Sequence, residues 1–207
     1  WGGDSGASIT RQLLASGFSS PVHVAAPPGD TSRLFVVERG GLIRIVDLNT
    51  DTVLGTPFIN VNDSPNSNVS TTGEGGLLSI AFHPIYSSNG FFFVYYTADI
   101  DPSASFDFGT RISRFTVTGN PNVADPSSEV IFYELSQPAT NHNGGMVAFR
   151  PGDANNYLYV SIGDGGGACD SSERAQNTAN TFGSILRIDV DPGPSGDVQN
   201  PFARARN

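Results

Sequence analysis

The chain has 207 residues, a formal net charge of −9 and a sequence pI of about 4.5, and all eleven of its basic residues are arginine. Such an acidic balance excludes nucleic acid and anionic lipid as partners, because both demand a basic face, and it fits an acidic secreted protein. A lone Cys169 excludes an internal disulfide and any cysteine-based zinc site and reads as a small loop residue before it reads as a reactive thiol, and no apolar run approaches the ~20 residues that would span a bilayer.

In chain order, the sequence opens at Trp1 rather than Met, followed by Gly-Gly-Asp-Ser, which reads as the product of removing an upstream segment, by signal-peptide cleavage or by trimming. Residues 10–15 allow a turn or two of helix. Then one pattern is written three times: a short apolar strand ending near Pro, a turn rich in Gly, Asn and Asp, an aromatic or aliphatic strand, a loop, and a strand built around Ile and Arg. The first strands are Val22-His-Val-Ala-Ala-Pro, Leu78-Ser-Ile-Ala-Phe-His-Pro and Met146-Val-Ala-Phe-Arg-Pro. The second are Leu34-Phe-Val-Val, Phe92-Phe-Val-Tyr and Leu158-Tyr-Val-Ser, and the third are Leu42-Ile-Arg-Ile-Val, Arg111-Ile-Ser-Arg-Phe-Thr-Val and Ile185-Leu-Arg-Ile-Asp-Val. Pro27, Pro84 and Pro151 recur about every 60 residues, and Leu34, Phe92 and Leu158 keep nearly the same period, which for strand-built repeats predicts an all-β propeller with one blade per repeat. The repeats are read as 18–75, 76–140 and 141–200 within one domain over 1–207.

Segments 60–76, 98–109 and 191–201, rich in Ser, Asn, Asp, Gly and Pro, read as connecting loops, and residues 173–181 as a second short helix. Asn62-Asp-Ser and Asn68-Val-Ser match the glycosylation acceptor pattern, the first weakened by Pro65. Propellers close with about 4 to 8 blades, so three blades make a partial ring. Its open ends would leave strand edges and apolar blade faces in water, which predicts a second chain or a missing C-terminal half.

Superposing the second and third repeats on their prolines sets Glu74 over Asn141 and Gly75 over His142, just ahead of the strand that lines the channel in each blade. Both Glu74 and His142 therefore approach one end of the axis from neighbouring blades, where propeller loops converge. Imidazole, with an unperturbed pKa of about 6.5, is the side chain suited to act as a neutral base near physiological pH. Asp164, in Gly163-Asp-Gly-Gly-Gly, ends the next strand of the same blade, and an antiparallel neighbour returns it toward His142, where it would fix the tautomer. The plainer alternative is a surface histidine and a turn aspartate. His23 and His83 lie in or beside strands and read as packing or edge residues. The glycine clusters at 73–76 and 163–167 are tight turns, since neither leads into a helix carrying Lys and Ser/Thr. Asp189, Asp191 and Asp197 lack the spacing of a calcium loop and read as solvated turn acids.

Gly73-Glu-Gly-Gly-Leu-Leu-Ser-Ile-Ala-Phe-His-Pro, Arg111-Ile-Ser-Arg-Phe, Asn141-His-Asn-Gly-Gly, Tyr157-Leu-Tyr-Val-Ser-Ile-Gly-Asp-Gly-Gly, Ala175-Gln-Asn and Ile185-Leu-Arg-Ile-Asp-Val-Asp occur in that order. This ordered set resembles the glucose/sorbosone dehydrogenase family, which includes the soluble quinoprotein glucose dehydrogenases and aldose sugar dehydrogenases. The resemblance implies a six-bladed propeller, of which about three blades are present, with pyrroloquinoline quinone (PQQ) at the channel mouth and an activating Ca²⁺. It implies that His142 takes the proton of the sugar C1 hydroxyl while hydride passes to the quinone, that Asp164 orients it, and that Glu74 and Asn141 border the cofactor. Glu74 stands where the family places a polar residue, Gln in some members. The family's cations for the quinone carboxylates and its calcium-holding carbonyls come mainly from later blades. Ser184 stands where many relatives carry Lys, and after Asn200-Pro-Phe this chain departs from the family's Arg-Asn-Pro-like motif. The resemblance thus points to a periplasmic or secreted aldose dehydrogenase completed by further residues or a second chain. The competing reading is a non-catalytic half-propeller serving as an interaction subunit or homo-oligomer.

Overall fold

The computed structural model describes residues 10–100, 103, 107–154 and 156–191, together with the backbone of 203–204. Asp197 therefore lies outside the described residues. Three antiparallel sheets follow one another along the chain. The first holds β1 (Pro21–Ala25), β2 (Arg33–Glu38), β3 (Leu42–Asp47) and β4 (Thr52–Val53) in that order, with β5 (Ile59–Asn60) also pairing β3. The second runs β6 (Leu77–Phe82), β7 (Phe91–Ala98), β8 (Gly109–Val117) and β9 (Ala124–Ser136), and the third β10 (Gly144–Phe149), β11 (Leu158–Ile162), β12 (Ser184–Ile188) and β13 (Ala203–Arg204). Each first strand packs beside the next, β1 on β6 and β6 on β10, so the sheets fan out as the blades of a propeller.

Alternation along the strands decides what lies between the blades. On β7, Phe92, Val94 and Tyr96 point toward the first sheet, while Phe93 and Tyr95 point toward the third, and all five are fully buried. The first interface is aromatic: Phe35 meets Phe58 and Phe82 edge-on with ring centroids 4.8 Å apart, and Phe58 meets Phe92 at 4.9 Å. The second is mostly aliphatic, with Val147, Leu158, Val160, Leu186 and Ile188 against Phe93, Tyr95 and Ile112. On the two outer sheets the same alternation turns Val22, Val24, Met146 and Ile185 outward, each about half exposed.

One buried carboxylate at the first interface gathers several donors. Glu129 on β9 accepts hydrogen bonds from Tyr96 Oη at 2.6 Å, from Ser67 Oγ at 3.0 Å and from Ser64 Oγ. That arrangement fastens the loop after β5 to the second blade. Burial, reinforced by the Glu129 charge, pushes the Tyr96 phenol up to about 12. Asn62 donates to Gly40 O at 3.0 Å, and Asn68 to Asp99 Oδ2 at 3.2 Å.

Both short helices expected from the sequence are absent. Residues 10–15 carry no regular structure, and Leu13 is exposed there, so the segment has no packed face to hold a turn of helix. Residues 173–181 form successive turns, because Asp170 takes the Arg174 and Ala175 amides, Asn177 that of Ala179, and Asn180 that of Phe182. Among the described residues the short helices are a 3-10 turn at Val61–Asp63, another at Ala168–Asp170, and α1 (Tyr86–Asn89), closed by Gly90 in the left-handed conformation.

His83 is the packing residue the sequence suggests, and it gives Asp191 a structural task beyond a solvated turn. The ring is 1% exposed, lies edge-on to Phe149, and accepts through Nδ1 from Asn89 Nδ2 at 2.9 Å and from the Ile85 amide at 3.3 Å. Those two donors leave the proton on Nε2, 3.0 Å from Asp191 Oδ1. Asp191 also accepts from Asn156 Nδ2 at 3.0 Å, so it joins the second blade to the third. His83→Ala leaves a cavity and strands Asp191 and Asn89, and is expected to lower stability by about 2–4 kcal/mol, read as the shift in urea unfolding midpoint at constant m-value.

Candidate functional site

Three loops meet at one end of the fan: the segment before β6 that carries Glu74, the segment before β10 that carries Asn141 and His142, and the segment after β11 that carries Asp164. Strand register brings the last two together. Gly144 pairs Ile162 between β10 and β11, and two residues beyond that pair on either strand stand His142 and Asp164. Close backbone approach is required here: a Cβ on Gly163 would overlap the His142 carbonyl, which in turn accepts from the Gly165 amide at 3.2 Å.

His142 Nδ1 lies 3.0 Å from Asp164 Oδ1, and the His142 amide donates to Glu74 Oε2 at 2.7 Å. The His142 backbone sits at φ 55, a left-handed conformation that a non-glycine residue adopts at a cost. Its ring is 44% exposed and Asp164 22%, so the pair opens to solvent from a fixed base. Asp164 Oδ1 also accepts the Gly166 amide at 2.9 Å. That amide, then the His142 hydrogen bond and charge, then the Arg174 charge outweigh partial desolvation and hold the Asp164 carboxyl below the usual carboxylate range. An ionised Asp164 accepts hydrogen bonds only, so the ring proton belongs on Nδ1 and the Nε2 lone pair is left free to accept a proton.

Asn141, half buried, sets its carboxamide oxygen so close to Gly166 of the Asp164 loop that a Cβ there would collide with it. The structure thus gathers all four expected site residues at one end: His142, Asp164, Glu74 and Asn141. Ser184 stands opposite Ile162 in the β11–β12 ladder, with its hydroxyl on Phe182 O at 3.2 Å. Cys169 is exposed in the following turn. His23 belongs to packing: its Nδ1 accepts the Ile80 amide at 3.3 Å, and burial pulls its pKa down.

Two arginines with no distinguishing motif around them complete the site. Arg174 donates from Nε to Asp164 O at 2.8 Å and from Nη2 to Gly166 O at 2.9 Å, with Phe182 against its guanidinium. Arg39, in the turn between β2 and β3, donates from Nε to Gly75 O at 2.6 Å and from Nη2 to Thr71 O at 2.6 Å and to Gly73 O. Both side chains hold carbonyls of the loops that present the carboxylates. From sequence, the only available signal was an arginine beside a glycine-rich turn, which does not distinguish such a clamp from a solvated charge.

Among the described residues, no three His, Cys, Asp or Glu side chains gather as a metal site. No helix among them is long and apolar enough to cross a membrane.

Residues 18–207 match the family described as Glucose / Sorbosone dehydrogenase. Among curated proteins, the chain is 31% identical over 183 residues to the Hedgehog-interacting protein of Homo sapiens, covering 87% of this chain and 26% of that protein. It is 29% identical over 218 residues to the HIPL2 protein of Arabidopsis thaliana, covering 86% of this chain and 30% of the relative. Among solved structures, the PQQ-bound aldose sugar dehydrogenase of Streptomyces coelicolor superposes with a TM-score of 0.69 at 28% identity, covering 92% of this chain and 52% of that one. The apo form of the soluble aldose sugar dehydrogenase of Escherichia coli gives a TM-score of 0.68 at 20% identity, covering 86% of this chain and 46% of that one, a likeness of fold. The chain therefore spans about a quarter of the human relative and about half of these enzymes, and its three sheets are blades of the same β-propeller. Ordered motifs, fanned sheets and these matches agree that the chain belongs to the glucose/sorbosone dehydrogenase family.

Proposed function

We propose that this chain supplies the proton-accepting half of an aldose dehydrogenase site, with His142 as the base and Asp164 as its orienting partner. The observation that carries the reading is the 3.0 Å contact between His142 Nδ1 and an Asp164 held ionised, which leaves His142 Nε2 free to accept. In the step so assigned, the C1 hydroxyl of the sugar gives its proton to His142 Nε2, the C1–H bond breaks with its electron pair, and the aldose becomes a lactone. PQQ, when bound, supplies the acceptor for that hydride. Asp164 stabilises the imidazolium that forms, and Glu74 keeps the ring's backbone in place.

The described residues fit the proton-handling side of this chemistry and do not supply the charges for a tricarboxylate. The hydrogen bonds described for Arg39 and Arg174 go to backbone carbonyls, and Glu74 and Asp164 make the rim anionic. Glu74 and Asn141 are assigned to the cofactor border. The cations for the quinone carboxylates and the carbonyls for Ca²⁺ are assigned to residues beyond this chain, in a C-terminal half or a second chain. Residues 1–207 are taken as one partial-propeller unit with repeats 18–75, 76–140 and 141–200. The acidic, lysine-free composition supports a periplasmic or secreted location.

A second reading, a non-catalytic interaction subunit or homo-oligomer, draws on the name of the human relative and on the outward apolar side chains Val22, Val24, Met146 and Ile185. Mass measurement in solution tests it: a stable, dispersed monomer that captures no partner would end it.

The catalytic reading is tested in the complete protein reconstituted with PQQ and Ca²⁺. His142→Ala is expected to reduce dye-linked aldose oxidation on the order of 10²–10⁴-fold, and unchanged turnover would remove His142 from the role of base. Asp164 gives a pH prediction. Its folded pKa lies below its unfolded value, so its contribution to stability is full above the unfolded pKa of about 3.9 and is lost as pH falls through the lower folded value. The stability gap between wild type and Asp164→Asn should therefore be widest near neutral pH and close under acid conditions, as followed by urea unfolding at several pH values.

A further inference from the structure

Blade one contributes no side chain to the His142–Asp164 pair, yet one of its arginines reaches the loop on which that pair depends. We propose that Arg39 is a positioning residue for His142, acting across two blades through the loop of residues 71–76 and the Glu74 carboxylate. The inference rests on His142 being the base, as proposed above.

The path is continuous. The Arg39 guanidinium binds the carbonyls of Thr71, Gly73 and Gly75, which alternate along the loop on either side of Glu74. Its backbone is held as well, because Arg39 O accepts the Leu77 amide at 2.9 Å where β6 begins. Gly76, at φ 141, lies so close that a Cβ there would meet Arg39 Cγ and the Arg39 carbonyl oxygen, so the loop is seated directly on the arginine stem. Between those anchors, the Glu74 amide donates to Thr140 O at 2.8 Å, and its Oε2 accepts the His142 amide at 2.7 Å.

The chemistry of the clamp requires arginine. Three carbonyls in one short loop need donors spread over a planar fork, which a guanidinium presents and an ammonium does not. His142 needs such help because its left-handed backbone is not self-sustaining, and a charge-assisted bond from its amide to a fixed carboxylate selects that conformation. Loosening Arg39 frees Glu74, releases the His142 amide and lets the ring leave its alignment with Asp164, although Arg39 itself contacts only the loop.

The test uses the complete protein and reads hydrogen exchange of individual amides beside kinetics. Arg39→Ala should speed exchange of the His142 amide about tenfold or more while leaving Val94 and Tyr95, buried in β7, at their wild-type rates. kcat should fall more than KM rises, and Arg39→Lys should not restore either readout. In a Glu74→Ala background, adding Arg39→Ala should change nothing further at His142. Unchanged His142 exchange in the folded variant, or additive effects in the double variant, would overturn the proposal. If Arg39→Ala does not fold, Arg39→Gln carries the same exchange comparison. Should His142→Ala retain full activity, the catalytic reading fails on its own, while the exchange result still decides whether Arg39 sets the His142 backbone.

Discussion

Contact between two backbones, Gly163 against the His142 carbonyl, is the constraint from which the rest of the site follows. The β10–β11 ladder ends there with a register irregularity, and the two chains stay close enough beyond it that the side chains at 142 and 164 face each other. A side chain at 163 would push the strands apart, and no choice of residue at 142 or 164 would then restore the pair. Site geometry is thus set by a ladder whose register is fixed by Val147, Leu158 and Val160 in the blade interface. Packing of the third blade on β7 and alignment of His142 with Asp164 are one structural event.

Electrostatics at this end of the fan is spent largely on the protein itself. Arg174 and Arg39 each bind backbone carbonyls, one under the Asp164 loop and one under the Glu74 loop. Neither makes an ion pair with the carboxylate it supports. Asp164 consequently remains available to His142, and Glu74 to the His142 amide. A guanidinium placed directly on Asp164 would compete for the oxygen that orients the imidazole. Bonding the carbonyl of the same residue steadies the loop and still lends a favourable charge to Asp164.

Much of this was legible in the sequence, for reasons that differ by residue. Phe92 and Leu158 announced their strands because inter-blade burial demands apolar residues at a fixed period, and that demand repeats. His142 and Asp164 were readable as a pair because antiparallel register converts sequence position into proximity. Glu74 was readable in place, through the alignment of Pro84 with Pro151, but its bond to a backbone amide was not, since side-chain identity does not specify a main-chain partner. Arg39 and Arg174 escaped for the same reason. Residues 173–181 form turns in place of the expected helix because Asp170, Asn177 and Asn180 side chains capture the amides a helix would need. Asp191 misled because its partner, His83, lies in another repeat.

The distribution of buried surface bears on how the two functional readings relate. The middle blade is closed on both faces by neighbours, whereas the outer two each present a face with half-exposed aliphatic side chains. A propeller interface needs no special chemistry, only apolar residues alternating at strand period, and the outward faces at Met146 and Ile185 and at Val22 and Val24 carry that signature. The faces therefore suit further blades of the same kind from either source, and they say little about catalysis. Discrimination between the two proposed readings lies at the rim, where Arg39 and Arg174 are committed to backbone carbonyls. The proposed dehydrogenase reading calls for a completing partner that brings cations to the Glu74 and Asn141 side. The interaction reading calls for no such cations, and the His142–Asp164 pair would then stand with no hydride acceptor beside it.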